Sequence, residues 1–167
     1  SDWAALAARI KGWGRELGFD AIRISGTDLG TAEQGLADWL AAGFHGEMDY
    51  MARHGATRAR PAELVPGTLR VISARMDYQP RAADAEENLA DGTRAYLSRY
   101  ALGRDYHKLM RDRLQKLASR IEAEIGGFGY RVFTDSAPLL EVEIARHAGL
   151  GWRGKHTLLL EQRRGSA

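Results

Sequence analysis

The chain of 167 residues contains no cysteine, and this absence limits the folds open to it more than any other feature. Disulfides, thiolate zinc sites and cysteine-ligated iron–sulfur clusters are all excluded within these residues. The fold must therefore rest on apolar burial, and its 44% hydrophobic and 28% charged residues are typical of a water-soluble globular domain. No apolar run reaches the roughly 18 residues of a membrane span, so we expect a cytoplasmic monomer without membrane contact.

Apolar residues at helical spacing, with capping residues at their ends, predict several helices. They are residues 2–17, capped by Asp2; a second helix that ends at Gly43; a short piece at 48–51; residues 105–125, capped by Asp105; and a helix that starts at Ser136 and ends at Gly149. Short apolar runs predict strands at 21–25, 69–76, 95–102, 130–134 and 157–160, and residues 80–92 are the most loop-like segment. We predict an α+β fold, a single domain in which a mixed or largely antiparallel sheet is flanked by helices.

The net charge of +2 conceals two basic segments. Residues 53–75 carry five arginines against one acidic residue, and residues 94–120 carry eight basic against two acidic residues. If the two segments meet in space, they form a surface suited to a polyanion such as RNA. The alternative is a solvated helix face without a partner.

Three further segments are candidates for chemistry. Residues 104–107 place a cation, a carboxylate, a phenol and an imidazole at one helix entrance, or they form only a helix cap beside a satisfied histidine. Asp135 follows a predicted strand and precedes a predicted helix, where α/β proteins tend to bind ligands, or it merely caps that helix. Residues 149–156 have the glycine and lysine spacing of a phosphate loop, but His156 replaces the expected Ser or Thr and a helix precedes the loop, which excludes nucleotide hydrolysis. The histidines show no helical metal-binding motif, so we predict no metal site.

Linked motifs follow one another along nearly the whole chain. They are residues 43–48 with Tyr50, Arg58 followed by Pro61, residues 99–101 with Gly103, residues 105–107, residues 135–138, and residues 148–152 with Gly154 and Lys155. In this order and spacing they resemble the amino-terminal half of epoxyqueuosine reductase. A set of linked motifs is far more specific than any one of them.

This resemblance implies a cobalamin-dependent oxidoreductase that reduces the epoxide of epoxyqueuosine in tRNA, in the last step of queuosine biosynthesis. It implies that residues 1–167 form the cobalamin-binding domain, and that a following ferredoxin-like domain carries two 4Fe-4S clusters, which this cysteine-free chain cannot hold. The implied partners are a tRNA with a queuosine-type anticodon loop and an electron donor protein or reductase. We expect no physiological turnover from this chain alone. The alternative function is a noncatalytic basic RNA-binding module.

The resemblance also implies roles for individual residues. Asp135 matches the catalytic acid, which gives a proton to the opening epoxide oxygen, and His107 is implied as its orienting or proton-handling partner. The implied cofactor-binding residues are Arg58, Ser98, Tyr100, Tyr106, Asp135, Ser136, Lys155, His156 and Thr157.

Overall fold

The computed structural model describes residues 2–78 and 81–161 together with the backbone of 165–166. Its α-helices are α1 (Trp3–Glu16), α2 (Ala32–Ala41), α3 (Asp49–His54), α4 (Pro61–Leu64), α5 (Ala85–Ala90), α6 (Tyr106–Ile125) and α7 (Glu141–His147). Two 3₁₀ turns span Gly55–Ala59 and Arg99–Ala101. The strands are β1 (Ala21–Ser25), β2 (Val71–Arg75), β3 (Trp152–Arg153), β4 (Leu159–Glu161) and β5 (Gly165–Ser166).

The strands form two small antiparallel sheets, β1–β2 and β3–β4–β5. In the first sheet Ile22 pairs with Ala74 and Ile24 pairs with Ile72. Because side chains alternate along a strand, these four residues share one face, and this face packs on the main core between α1 and α6. The buried residues of that core are Leu6, Ile10, Phe19, Ile22, Leu117 and Ile121. The predicted α+β class, with antiparallel sheet and flanking helices, is confirmed.

Helix α1 approaches the first sheet unusually closely at a glycine. The Asp2 side chain caps this helix by accepting from the backbone N–H groups of Ala4 and Ala5. A Cβ added to Gly14 would lie 2.2 Å from Cγ1 of Ile22, well inside van der Waals contact. Only a residue without a side chain lets the helix pack on β1 at this distance.

A second core cluster lies under α7. Leu29, Ala59 and Ile144 are its buried members, and Val71 of β2 packs against them. Glu143 of α7 is almost fully buried and pairs with both Arg146 and Arg153. Since Arg153 belongs to β3, this glutamate ties the β3–β4 hairpin to α7.

Helix α6 begins and ends where the sequence predicts. The Asp105 side chain accepts from the backbone N–H of His107 at the first turn. Gly126 follows the last turn with a φ of 86°, which is the left-handed conformation that glycine adopts without strain. Among the described residues, no helix combines the length and apolarity that a membrane span requires.

Three predicted elements are wrong. Residues 95–102 contain only the 3₁₀ turn, and residues 130–134 form no strand. Both segments have strand-like composition, but neither pairs with a neighbouring strand in the described sheets, and a strand needs such a partner. The last helix begins at Glu141 instead of Ser136.

Two smaller differences concern polar segments. The predicted loop at 80–92 includes the short helix α5, which Asp84 caps by accepting from the backbone N–H groups of Glu86 and Glu87; Pro80 lies outside the described residues. The predicted strand 157–160 begins only at Leu159, because Thr157 belongs to the turn of the β3–β4 hairpin.

Candidate active site

One oxygen of the Asp135 carboxylate contacts two side chains from the first turn of α6. The Tyr106 hydroxyl donates to Oδ2 of Asp135 at 2.5 Å, and Nε2 of His107 lies 3.2 Å from the same oxygen. The other oxygen, Oδ1, has no hydrogen-bond partner among the described residues. The Asp135 side chain is 52% exposed, so Oδ1 remains available to a bound molecule.

His107 bridges two carboxylates. Its Nδ1 lies 2.9 Å from Oδ1 of Asp105, while its Nε2 faces Asp135. The hydrogen bond from His107 lowers the pKa of Asp105, and the backbone N–H of His107 and the charge of Lys108 add to this effect. An imidazole between two carboxylates is oriented by one of them and can exchange a proton with the other.

A series of aromatic ring contacts extends from the two side chains that meet the Asp135 carboxylate. The Tyr106 and His107 rings stack with centroids 4.0 Å apart, and Tyr100 meets Tyr106 edge to face at 6.4 Å. Tyr78 meets Tyr100 in the same way at 6.5 Å. The hydrogen bond to the Asp135 carboxylate raises the pKa of Tyr106 to about 12, with burial as a second cause, so this phenol keeps its proton at neutral pH and acts as a donor.

Asp135 occupies a backbone conformation that is uncommon for a residue with a side chain. Its φ is 56°, in the left-handed region that Asp and Asn tolerate better than most residues. It does not cap α7, whose N-cap is Leu140, so the capping alternative is wrong. The preceding residue, Thr134, is buried, and its Oγ1 has no hydrogen-bond partner among the residues that the structure describes.

Glu141, the first residue of α7, is the site residue that sequence reasoning missed. Burial and then the negative charge of Asp135 raise the pKa of the Glu141 carboxyl to about 7, while the backbone N–H of Asp135 acts in the opposite direction. Its Oε1 is buried, and no described residue forms a hydrogen bond with it. No sequence signal could have found it, because its environment arises only when α7 packs beside the irregular segment 126–140.

Arg58 reaches the site through its backbone. Its carbonyl accepts from the N–H of Leu140 at 2.9 Å, next to Glu141. Its buried guanidinium donates to the carbonyls of Tyr50 and Met51 at 2.7 and 3.3 Å. The side chain thus supports α3, and its implied contact with a cofactor stays a prediction.

The other implied cofactor residues fall into two groups. Ser98, whose carbonyl accepts from Ala101, starts the 3₁₀ turn that carries Tyr100, and Ser136 is exposed directly after Asp135. Ser136 thus adjoins Asp135 in the chain. Ser98 lies two positions before Tyr100, whose ring contacts that of Tyr106.

The second group is the exposed tip of the β3–β4 hairpin, formed by Lys155, His156 and Thr157. Nδ1 of His156 accepts from the N–H of Leu158 at 3.1 Å, and Thr157 has a φ of 69°. The structure records no hydrogen bond, ion pair or ring contact between this tip and Asp135. Their implied roles therefore stay predictions.

The basic segment 94–120 is only partly free. Arg94, Lys116 and Arg120 pair with Asp91, Asp112 and Glu16, respectively, and Arg113 donates to the carbonyl of Gly18. Within the described residues, Arg99, Arg104, Lys108 and Arg111 form no ion pair within 4 Å. The unpaired cations therefore concentrate near the end of α6 that carries His107.

Two pockets of about 210 and 300 Å³ lie beside α2, α4 and the 3₁₀ turn Gly55–Ala59, and neither is lined by Asp135 or His107. In the part of the chain that the structure describes, no group of three or more His, Asp or Glu side chains is arranged to hold a metal ion.

The fold and the site define an α+β domain with an acid, a phenol and an imidazole on an open face. Residues 58–136 match the family model described as Epoxyqueuosine reductase QueG, DUF1730. The chain is 64% identical to the epoxyqueuosine reductase of Burkholderia pseudomallei (strain K96243), with 98% of the chain and 44% of that relative covered. The chain is similar to this epoxyqueuosine reductase over nearly its whole length and spans less than half the length of that relative.

Solved structures share the fold. A Bacillus subtilis epoxyqueuosine reductase, described with its catalytic Asp loop swung out of the active site, matches at TM-score 0.78 and 19% identity, over 98% of this chain and 43% of that one. An epoxyqueuosine reductase with an epoxyqueuosine-modified tRNA-Tyr stem loop matches at TM-score 0.75 and 18% identity, over 98% and 43%. At these low sequence identities, the two comparisons show only that the fold is shared.

Proposed function

We propose that residues 1–167 form the cobalamin-binding, proton-donating domain of an epoxyqueuosine reductase, which reduces the epoxide of epoxyqueuosine in tRNA to the alkene of queuosine. The observation that carries this proposal is the Asp135 carboxylate, which meets Tyr106 and His107 at one oxygen and leaves the other open. The similarity of nearly the whole chain to an epoxyqueuosine reductase supports it. We assign the activity to a cytoplasmic, monomeric enzyme.

The reaction defines what the site has to supply. Both carbon–oxygen bonds of the epoxide break, a carbon–carbon double bond forms, and the oxygen leaves as water. This change consumes two electrons and two protons. The protein must therefore deliver protons to the oxygen as it departs, and a positioned side chain contributes about 10²–10⁴-fold to such a step.

The described residues divide this task. Asp135 gives a proton to the epoxide oxygen from Oδ1, the oxygen without a partner in the protein. His107, at 3.2 Å from Oδ2, returns a proton to Asp135, and Asp105 orients the imidazole through Nδ1. Tyr106 holds the carboxylate in place as a hydrogen-bond donor.

We also propose that this face holds the corrin ring of cobalamin. The corrin is a broad ring system that needs an apolar wall beside an open face. Tyr100 is 55% exposed and continues the ring contacts of Tyr106, which supports these two tyrosines as that wall. Bound cobalamin would supply the electrons at this face. The remaining cofactor contacts that we propose are Arg58, Ser98, Ser136, Lys155, His156 and Thr157.

The electron supply and the RNA partner complete the proposal. We assign the two 4Fe-4S clusters of the family and the contact with an electron donor to residues outside this cysteine-free sequence. Arg104, Lys108 and Arg111 are suited to tRNA phosphates, because they lie within about two helical turns of His107. A family structure with a tRNA-Tyr stem loop supports this partner.

The first experiment tests cofactor binding. The purified chain is mixed with cobalamin, and its absorption spectrum and co-elution in gel filtration are recorded. We expect a shifted spectrum and stoichiometric retention. A chain that folds, binds an anticodon stem loop and retains no cobalamin would instead be the basic RNA-binding module.

The second experiment tests the acid in the complete gene product that contains this sequence. Asn tolerates the left-handed backbone of residue 135 but cannot give a proton. Asp135→Asn should keep cobalamin and tRNA affinity while turnover falls by about 10²-fold or more. Asp112→Asn, which removes an exposed α6 carboxylate paired with Lys116, is the matched control. Near-normal turnover of a loaded Asp135→Asn enzyme would rule out the role of Asp135 as acid.

A further inference from the structure

The segment that carries Asp135 is held in place mainly by side chains. Residues 126–140 contain no helix or strand. Within the described part of the chain, residues 127–136 form no backbone–backbone hydrogen bond. A left-handed φ at a residue with a side chain, such as Asp135, persists only where the surroundings enforce it. Side-chain contacts must therefore determine where this segment lies.

Tyr130 makes such a contact with helix α6. Nε2 of Gln115 donates to the Tyr130 hydroxyl at 2.6 Å, across 15 positions of sequence. The Tyr130 ring also contacts the ring of Phe128, with centroids 5.0 Å apart, and Phe128 packs against the main core. The Tyr130 side chain is therefore fixed at both its ring and its hydroxyl, although it lies at the surface.

The contacts of this segment follow α6 back toward its first turn. Tyr130 meets Gln115, and Asp135 meets Tyr106 near the start of the helix. Gln115 and Tyr106 are separated by about 14 Å along the helix axis, whereas the chain from Tyr130 to Asp135 reaches at most about 17 Å when fully extended. The segment has little slack between the two contacts, so the position of Tyr130 limits where the Asp135 carboxylate can lie.

We propose that Tyr130 is a positioning residue for Asp135, because its hydrogen bond with Gln115 fixes the segment on α6 at the place from which the Asp135 carboxylate reaches Tyr106. The inference rests on the proposed function, which gives Asp135 its catalytic role. Tyr130 touches no substrate or cofactor in this proposal and acts only through Asp135. Because the Gln115 amide is the donor, the contact persists whether the Tyr130 hydroxyl is neutral or ionised.

The phenol of Tyr106 reports where Asp135 is. Its pKa of about 12 results chiefly from the hydrogen bond to the Asp135 carboxylate, so displacement of Asp135 returns it toward the ordinary value. At pH 10.5 a phenol of pKa 12 is roughly 3% ionised, and one of pKa 10 is roughly three-quarters ionised. NMR of protein with ¹³Cζ-labelled tyrosine measures this fraction. Tyr106→Phe assigns the signal, and Asp135→Asn gives the value without the carboxylate.

A double-mutant cycle tests the contact. Tyr130→Phe removes the hydroxyl and keeps the ring, and Gln115→Ala removes the donor. In both variants we expect the population with a displaced Asp135 to rise about fivefold, the usual effect of one hydrogen bond, and the ionised fraction of Tyr106 to rise with it. The double variant should match either single variant, because all three lack the same hydrogen bond.

Arg120→Gln is the matched control. It removes a different contact of α6, the 2.6 Å ion pair with Glu16 of α1, and should leave Tyr106 ionisation at the wild-type level. An equal rise in this control would indicate general loosening of α6 and overturn the inference. Unchanged Tyr106 ionisation in folded Tyr130→Phe protein would also overturn it, and Gln115→Ala decides where Tyr130→Phe does not fold.

The readout separates this inference from the proposed function. Tyr106 ionisation is measured without cobalamin, RNA or reductant, so failure of cofactor binding or turnover leaves the measurement intact. In the complete gene product, Tyr130→Phe should lower the turnover number by about fivefold, with cobalamin retained and the KM for tRNA unchanged. A full turnover number in this variant would overturn the inference.

Discussion

The Tyr106 hydroxyl donates to Oδ2 of Asp135 at 2.5 Å across 29 positions of sequence. This hydrogen bond connects the first turn of α6 to a segment without regular secondary structure. It also determines the protonation of the phenol, since the carboxylate raises the pKa of Tyr106 to about 12. The pKa of the Tyr106 phenol therefore depends on the position of the Asp135 carboxylate, and a titration of the phenol can measure it.

Tyr106→Phe removes this hydrogen bond and keeps the ring that stacks on His107. At pH 9 we expect the variant to be less stable by about 1 kcal/mol, the usual net contribution of one hydrogen bond. Because folding raises the Tyr106 pKa, the stabilisation is fully present below pH 10 and is lost as pH rises through about 12. Urea titrations at pH 9 and 11.5 should show the difference shrinking; a constant difference would contradict the linkage.

Glu141→Gln should change stability with pH in the neutral range. The folded-state pKa of Glu141 is about 7, above its ordinary value of 4.5, so its neutral form stabilises the fold below pH 4.5 and this contribution is lost as pH rises through 7. The glutamine variant cannot ionise. After allowance for solvent screening at a half-buried group, we expect it to gain on the order of 1–2 kcal/mol over the wild type between pH 4.5 and 8. Urea unfolding of both proteins at the two pH values measures this difference. A stability difference that is the same at both pH values would contradict the prediction.

Gly14→Ala should destabilise the main core. The added Cβ would lie 2.2 Å from Cγ1 of Ile22, which is only 2% exposed, and overpacking of this kind costs about 1–3 kcal/mol. Gly12→Ala on the same helix is the control, because nothing lies within 4 Å of its new Cβ. That variant should gain about 0.5–1 kcal/mol from helix propensity. Thermal unfolding should give a lower melting temperature for Gly14→Ala and a higher one for Gly12→Ala than for the wild type.

The unpaired cations of α6 should contribute to RNA binding more than the paired ones. Arg111 has no ion pair within the described residues, whereas Lys116 lies 2.7 Å from Asp112. In the complete gene product, Arg111→Gln should weaken binding of an anticodon stem loop and lower the salt slope by about 1. Lys116→Gln should change both much less. Equal effects of the two substitutions would mean that the ion pair does not determine which cation meets phosphate.

Local signals explain the parts of the fold that could be predicted. Asp2 and Asp105 cap their helices as expected, because a cap depends on residues within one turn of the chain. Short apolar runs also predict strands at the positions of β1 and β2, although the antiparallel pairing of these two strands is seen only in the structure. These elements include the helix that positions Tyr106 and His107.

The wrong predictions of secondary structure concern segments whose conformation depends on contacts between distant residues. A local sequence pattern gives no information about such contacts. Residues 95–102 and 130–134 have strand-like composition, yet neither has a partner strand in the described sheets. Ser136 and Pro138 have the character of a helix start, but α7 begins at Glu141, and Asp135 is held instead in a left-handed turn. The environment of Glu141 is likewise tertiary, because its burial and the nearby charge of Asp135 arise only in the folded chain.

Helix α6 has 20 residues, and its buried residues Leu117 and Ile121 belong to the main core. Hydrogen exchange should therefore protect its central amides nearly to the limit of global unfolding, while the amides around Asp135 exchange through local opening. The site consequently joins two cooperative units of unequal stability. We therefore expect local opening around Asp135 to leave the helical surface that carries Tyr106 and His107 folded.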